Sequence, residues 1–170
     1  VDVLAEIASR VPGAVSVGAV DRTAEGQGAG GCRPTVAEPD PCHAFYSNTG
    51  SYIELVAPGG SDRTYGRLGY VWQQTFDYSY TDTFLLSPAQ YTAPRFDVLG
   101  YIGYIGTSMA TPHVAAVGAM LMQQGITNPA AVEAALEAMA VDLGTSGRDA
   151  TFGYGLIDAG RVLRGMGLAR

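Results

Sequence analysis

Gly106-Thr107-Ser108-Met109-Ala110-Thr111-Pro112-His113 is the stretch on which the reading of this chain turns. Before it, Gly100 to Ile105 is a short β-like run. After it, Ser108 to Gln124 is small and apolar on nearly every side, with Ala110, Val114, Ala116, Val117, Ala119 and Leu121 among its residues. A helix apolar all round is a buried one. Pro112 falls near its start, where a missing N–H costs least, and Gly125 ends it. A strand therefore passes through a glycine into a buried helix, with a hydroxyl at the first helical positions. A helix start carries unbonded N–H groups and a partial positive charge. An oxyanion forming beside Ser108 would be stabilised there, with the Ser108 N–H as one donor. The plainer role for Ser108 or Thr107 is to cap the helix. Capping, however, asks for no methionine, proline or histidine at fixed offsets.

Working outward, Val1 to Val11 has helical spacing, broken by Pro12-Gly13. Val15 to Val20 is a β-branched run suited to a strand buried on both faces of a parallel sheet. Gly26 to Pro41 is a loop dense in Gly and Pro. Ser51 to Ala57 reads as a second strand, stopped by Pro58-Gly59-Gly60. Asn128 caps a helix that opens on Pro129 and runs to Ala140. Gly153 to Ile157 is extended, and Asp158 caps a terminal helix containing Val162 and Leu163. Strands followed by helices define an α/β chain. Residues 61–105 differ in texture, because most of the aromatic rings lie there. Leu68 to Phe76 and Thr83 to Leu86 predict a β-hairpin arm, whose rings pack it onto the body or wall a cleft.

Composition narrows the function. The chain has 170 residues, 47% of them hydrophobic and 15% charged, which suits one domain with a real core. A net charge of −6 and a pI near 4.7 argue against a nucleic-acid partner. Every cation is Arg, without a basic run for an anionic membrane, and the longest apolar stretch, Val114 to Met122, is far below the ~20 residues of a bilayer span. Cys32 and Cys42 sit close together in the Gly/Pro loop, as a disulfide or as free thiols. With two Cys and two His in the chain, four zinc ligands are hard to assemble.

The string around Ser108 resembles the serine motif of the subtilisin-like serine proteases, the subtilases. Val17-Gly18-Ala19-Val20-Asp21, Tyr46-Ser47-Asn48-Thr49-Gly50 and Val56-Ala57-Pro58-Gly59-Gly60 look like the landmarks that precede the serine in that family, in the same order. Phe152-Gly153-Tyr154-Gly155-Leu156-Ile157-Asp158-Ala159 looks like its closing signature. Together they cover most of residues 12–165. The aromatic stretch 61–105 departs from the pattern as an insertion. The resemblance implies a three-layer α/β fold with a mostly parallel sheet, a polypeptide substrate and a secreted protein.

By this resemblance Ser108 is the nucleophile that forms an acyl-enzyme, and Thr107 supports the oxyanion. His113 is excluded as the base. Five helical residues amount to about 500°, so its side chain points some 140° away from that of Ser108; the family uses it as a packed structural residue. His43 has no counterpart in the family. The catalytic Asp and His and the oxyanion Asn precede Val17 in the family, and their motifs do not occur here. The expectation is thus the C-terminal portion of one catalytic domain, inactive alone and completed by a missing N-terminal half. A catalytically inactive binding or scaffold domain is the alternative. No cofactor is required. Calcium enters by analogy as a structural ion, on carbonyls near Pro12 and Ala14 with the carboxylate of Glu54. The strands expect neighbours that this stretch does not supply. Expressed alone, the 170 residues should aggregate or stay molten; a sharp, concentration-independent two-state transition of a monomer is the contrary result.

Overall fold

A computed structural model describes residues 3–21, 42–62, 66–77 and 95–165. Cys32, the side chain of Cys42 and the run Thr83 to Leu86 lie outside the described residues, and so do the disulfide question and that half of the expected arm.

The β-branched run becomes β1 (Val17–Asp21), at the centre of a three-stranded sheet of order β2-β1-β3. Its parallel neighbour is β3 (Leu55–Pro58), with Val17 opposite Leu55 and Val20 opposite Pro58. The antiparallel neighbour β2 is only Cys42–His43. Successive side chains point to opposite faces of a strand. Ala19, Leu55 and Ala57 accordingly enter one core, and Val20 and Val56 a second on the other face. Three helices serve the first core: α2 (Thr107–Gln123), α3 (Pro129–Met139) and α4 (Ala159–Gly165). Among the described residues the second face is covered without a helix, by Leu143, Phe152 and Leu156. Leu156 reaches it because Gly153 to Ile157 docks on the free edge of β3. There the Val56 N–H donates to Gly155 O (2.9 Å) and the Ile157 N–H to Val56 O (3.0 Å).

The caps fall where the sequence puts them. Asn128 Oδ1 accepts the Ala131 N–H at 3.1 Å, and Asp158 Oδ1 accepts the Arg161 N–H at 2.9 Å. Three expectations are corrected. The first helix, α1, spans only Val3–Ala8, since Arg10 and Val11 donate back three residues in tightened turns before Pro12. Ser51 to Glu54 precede the ladder of β3, because Ser51-Tyr52 form a turn. The first strand of the arm starts later than Leu68, which falls in a 3₁₀ turn, Gly66–Gly69; among the described residues β4 (Val71–Asp77) runs antiparallel to β5 (Arg95–Tyr104). Trp72 lies opposite Gly103, whose missing Cβ would stand 2.8 Å from the indole. The Trp72 indole N–H donates to Arg67 O at 3.0 Å, with the Arg67 guanidinium 5.6 Å from the ring.

Helix α2 also departs from the all-round burial read from its composition. Ala110, Val114, Val117, Gly118 and Leu121 are buried, whereas Thr111, His113, Ala115, Ala119 and Met122 are exposed. Only the face on β1 and β3 is covered by the described residues. Leu121 is 0% exposed in the centre of the first core. Leu121→Ala should cost about 2–5 kcal/mol, read as a lowered urea midpoint with an unchanged slope.

Candidate active site

Gly106 is where β5 hands over to α2. Its φ of 149° and ψ of 164° make it the N-cap, a conformation closed to most side chains. Its N–H donates to Gly59 O at 2.9 Å, tying the junction to the residue after β3. Its carbonyl opens the helix by accepting from Met109 (2.9 Å) and Ala110 (3.3 Å). Thr107 and Ser108 are then the first two helical residues, and no side chain caps the helix. The capping role open to Ser108 and Thr107 is therefore not taken. Ser108 is exposed, and its hydroxyl has no hydrogen-bond partner among the described residues. Thr107 contributes its carbonyl, which accepts from the Thr111 hydroxyl at 2.9 Å.

The arm stands over this helix end. Val71 and Gln73 of β4, Tyr104 of β5, and Ser108, Met109, Pro112, His113 and Ala116 of α2 line an open cleft of about 380 Å³. His113 borders the cleft with its Nδ1 2.8 Å from Met109 O, and neither ring nitrogen bonds Ser108. The expectation that His113 is packed is corrected: it is exposed, on the face of α2 that the described residues leave open. His43 is not part of the cleft. It sits on β2 with its ring edge-on to Phe152 at 6.1 Å, and its Nε2 is buried without a hydrogen-bond partner among the described residues. The structure thus brings Thr107 and Ser108 to one helix end and brings neither histidine to the hydroxyl.

A second polar feature lies near the Pro12-Gly13 turn. Glu54 is buried, and its Oε2 accepts the Ser16 N–H at 2.6 Å. Glu133 Oε2 accepts the Gly13 N–H at 2.6 Å. One carboxylate oxygen each from Glu54, Glu133 and Glu137 lies within 4.8 Å of the others. Such oxygens are donors a hard cation accepts, although two of these carboxylates already bind backbone amides. Sequence reasoning found Glu54 and missed Glu133 and Glu137; their i, i+4 spacing on one helix was the available signal. Burial first, then the charges of Glu133 and Glu54, hold the Glu137 carboxyl above the usual carboxylate range, and Arg148 opposes them.

Residues 5–155 match the model of the subtilase family, peptidase S8. The chain belongs to the subtilase family. It is 38% identical over 118 residues to the minor extracellular protease Epr of Bacillus subtilis, covering 67% of this chain and 13% of that protein. It is 39% identical over 67 residues to an extracellular serine protease of Serratia marcescens, covering 39% of this chain and 6% of that protein. The chain therefore spans a small part of these relatives. Its structure is similar to fervidolysin of Fervidobacterium pennivorans, a keratinolytic enzyme related to subtilisin, with a TM-score of 0.59 at 26% identity, over 92% of this chain and 20% of that one. A protease of Pseudoalteromonas arctica gives 0.62 at 26% identity, over 92% of this chain and 37% of that one. The α/β fold is subtilisin-like.

The carboxylate cluster makes a testable contribution to stability. Because folding raises the Glu137 value, the folded state holds this proton more tightly than the unfolded chain. The resulting stability is present below the ordinary carboxylate range and is lost as pH rises through the raised value. Glu137→Gln should therefore raise Tm at neutral pH and leave it unchanged in strong acid, where both states are protonated.

Proposed function

We propose that this chain is the nucleophile-bearing C-terminal portion of a secreted subtilisin-like serine endopeptidase, with Ser108 as the nucleophile. One observation supports this above the rest: an exposed hydroxyl, without a hydrogen-bond partner among the described residues, at the second residue of a helix whose start none of their side chains caps. In this reading Ser108 Oγ attacks a peptide carbonyl and gives its proton to a base, the base passes that proton to the leaving amine as the C–N bond breaks, and water then hydrolyses the acyl ester to a carboxylic acid and restores Ser108. The oxyanion forms at the positive end of α2, with the Ser108 N–H as donor and the Thr107 hydroxyl in support. No cofactor takes part. A calcium ion, if bound, would be structural, and Glu54 would help to hold it.

The base is supplied from outside these residues. His113 is engaged with Met109 O, and His43 lies off the cleft. The family resemblance puts the catalytic Asp and His and the oxyanion Asn in an N-terminal half of the same domain. That half would pack on the open face of α2, where Thr111, Ala115, Ala119 and Met122, with Val15 and Val17, line a second cleft of about 300 Å³. The substrate is a polypeptide. Among the described residues no helix is long and apolar enough to cross a membrane. The second reading is a binding or scaffold domain that never carried a triad.

A fluorophosphonate probe on the full-length protein separates the two. Labelling should occur at Ser108, and Ser108→Ala should abolish it and lower turnover by on the order of 10⁶, the scale of losing a triad serine. Persistent failure to label a folded protein would leave the scaffold reading.

A further inference from the structure

We propose that Tyr46 is a positioning residue for Ser108, acting through the backbone knot that starts α2; this rests on the reading of Ser108 as the nucleophile. Tyr46 lies between β2 and β3, its ring edge-on to Phe45 at 5.0 Å, and its hydroxyl donates to Gly60 O at 2.6 Å. Gly59 is wedged beside it. A Cβ there would stand 2.5 Å from the phenol oxygen, 2.7 Å from Ala19 Cβ and 2.9 Å from Gly106 O. Phenol, Gly59 and Gly106 thus occupy one tightly packed point. The two carbonyls of the Gly59-Gly60 pair have separate tasks: Gly60 O receives the Tyr46 hydroxyl, and Gly59 O receives the Gly106 N–H at 2.9 Å. The Tyr46 bond anchors Gly60 beside the peptide that holds Gly106, and losing it frees the φ and ψ of Gly60 and with them the orientation of the Gly59 carbonyl. Gly60, at φ 76°, has no side chain of its own to hold that orientation.

The hydroxyl does nothing that ring volume could do. A phenylalanine would fill the same space and leave Gly60 O without its donor. Burial foremost, with the Asp21 charge, pushes the Tyr46 phenol up to about 12 against an opposing backbone contact with Gly106. The group therefore stays a protonated donor and is unsuited to proton transfer at working pH. Ser108 stands two residues beyond Gly106, so a small rotation at that glycine swings Oγ, and misplacement of a reacting atom by about 1 Å can cost 10²-fold in rate.

The test uses the full-length protein and compares Tyr46→Phe with Ser47→Ala. Ser47 is the adjacent buried residue, whose Oγ accepts the Ala19 N–H at 2.9 Å without touching Gly106. Tyr46→Phe should slow fluorophosphonate labelling and lower kcat about tenfold, with KM held within about twofold. Hydrogen exchange at the Gly106 amide should quicken about tenfold. Ser47→Ala should lower Tm yet keep kcat and Gly106 exchange at wild-type values. The proposal is overturned if Tyr46→Phe leaves both kcat and Gly106 exchange unchanged, or if Ser47→Ala reproduces its kinetic loss. If the wild-type protein takes no label, the nucleophile reading has failed on its own, and Gly106 exchange in Tyr46→Phe still decides whether the hydroxyl holds the knot.

Discussion

The hydrogen bond from the Gly106 N–H to Gly59 O is the constraint on which this structure depends. It fastens the end of the arm, the residue after the central parallel pair and the first turn of the longest helix at one point. Chain direction, helix start and the outward aim of Ser108 all follow from it. Glycine at both ends is a steric requirement. Gly106 sits at a positive φ, and Gly59 has Tyr46, Ala19 and the Gly106 carbonyl within 3 Å of any added Cβ. A net gain of about 1 kcal/mol is ordinary for one hydrogen bond; its importance here is directional, because it sets where the Ser108 side chain leaves the helix start.

Burial supplies the rigidity behind that direction. Ala110, Val114, Val117 and Leu121 anchor α2 against Ala19, Leu55 and Ala57, so the helix cannot roll without opening the first core. The opposite side of α2 has no such cover among the described residues. Among the described residues the helix is therefore held from one side only. The carboxylates follow a related logic. Glu133 holds the Pro12-Gly13 turn by accepting the Gly13 N–H, Glu54 accepts the Ser16 N–H just before β1, and burial, then the charge of these two, makes ionisation of Glu137 costly.

Much of this was legible in the residues. Strand β1, the caps at Asn128 and Asp158, and the extended segment at Gly153 each had a local cause: β-branching, side-chain acceptors, or glycines where backbones approach closely. The serine motif marked the helix start to within one residue. What stayed hidden depended on contacts distant in sequence. Composition made α2 look buried all round, since alanine and methionine do not say which face finds a partner. Alternation in the arm suits several registers, so the pairing of Trp72 opposite Gly103 was invisible without the fold. Tyr46 looked like one landmark among several, since nothing local shows a phenol reaching Gly60.

The position of Trp72 has an optical consequence. It is the chain's single tryptophan, and it lies on β4 outside both apolar cores, stacked on Tyr70 at 6.3 Å beneath the Arg67 guanidinium. Intrinsic emission from these residues therefore watches the arm, whereas far-ultraviolet dichroism watches the helices. A melt followed by fluorescence alone would chart the parting of β4 from β5 and could pass for the collapse of the body that carries Ser108.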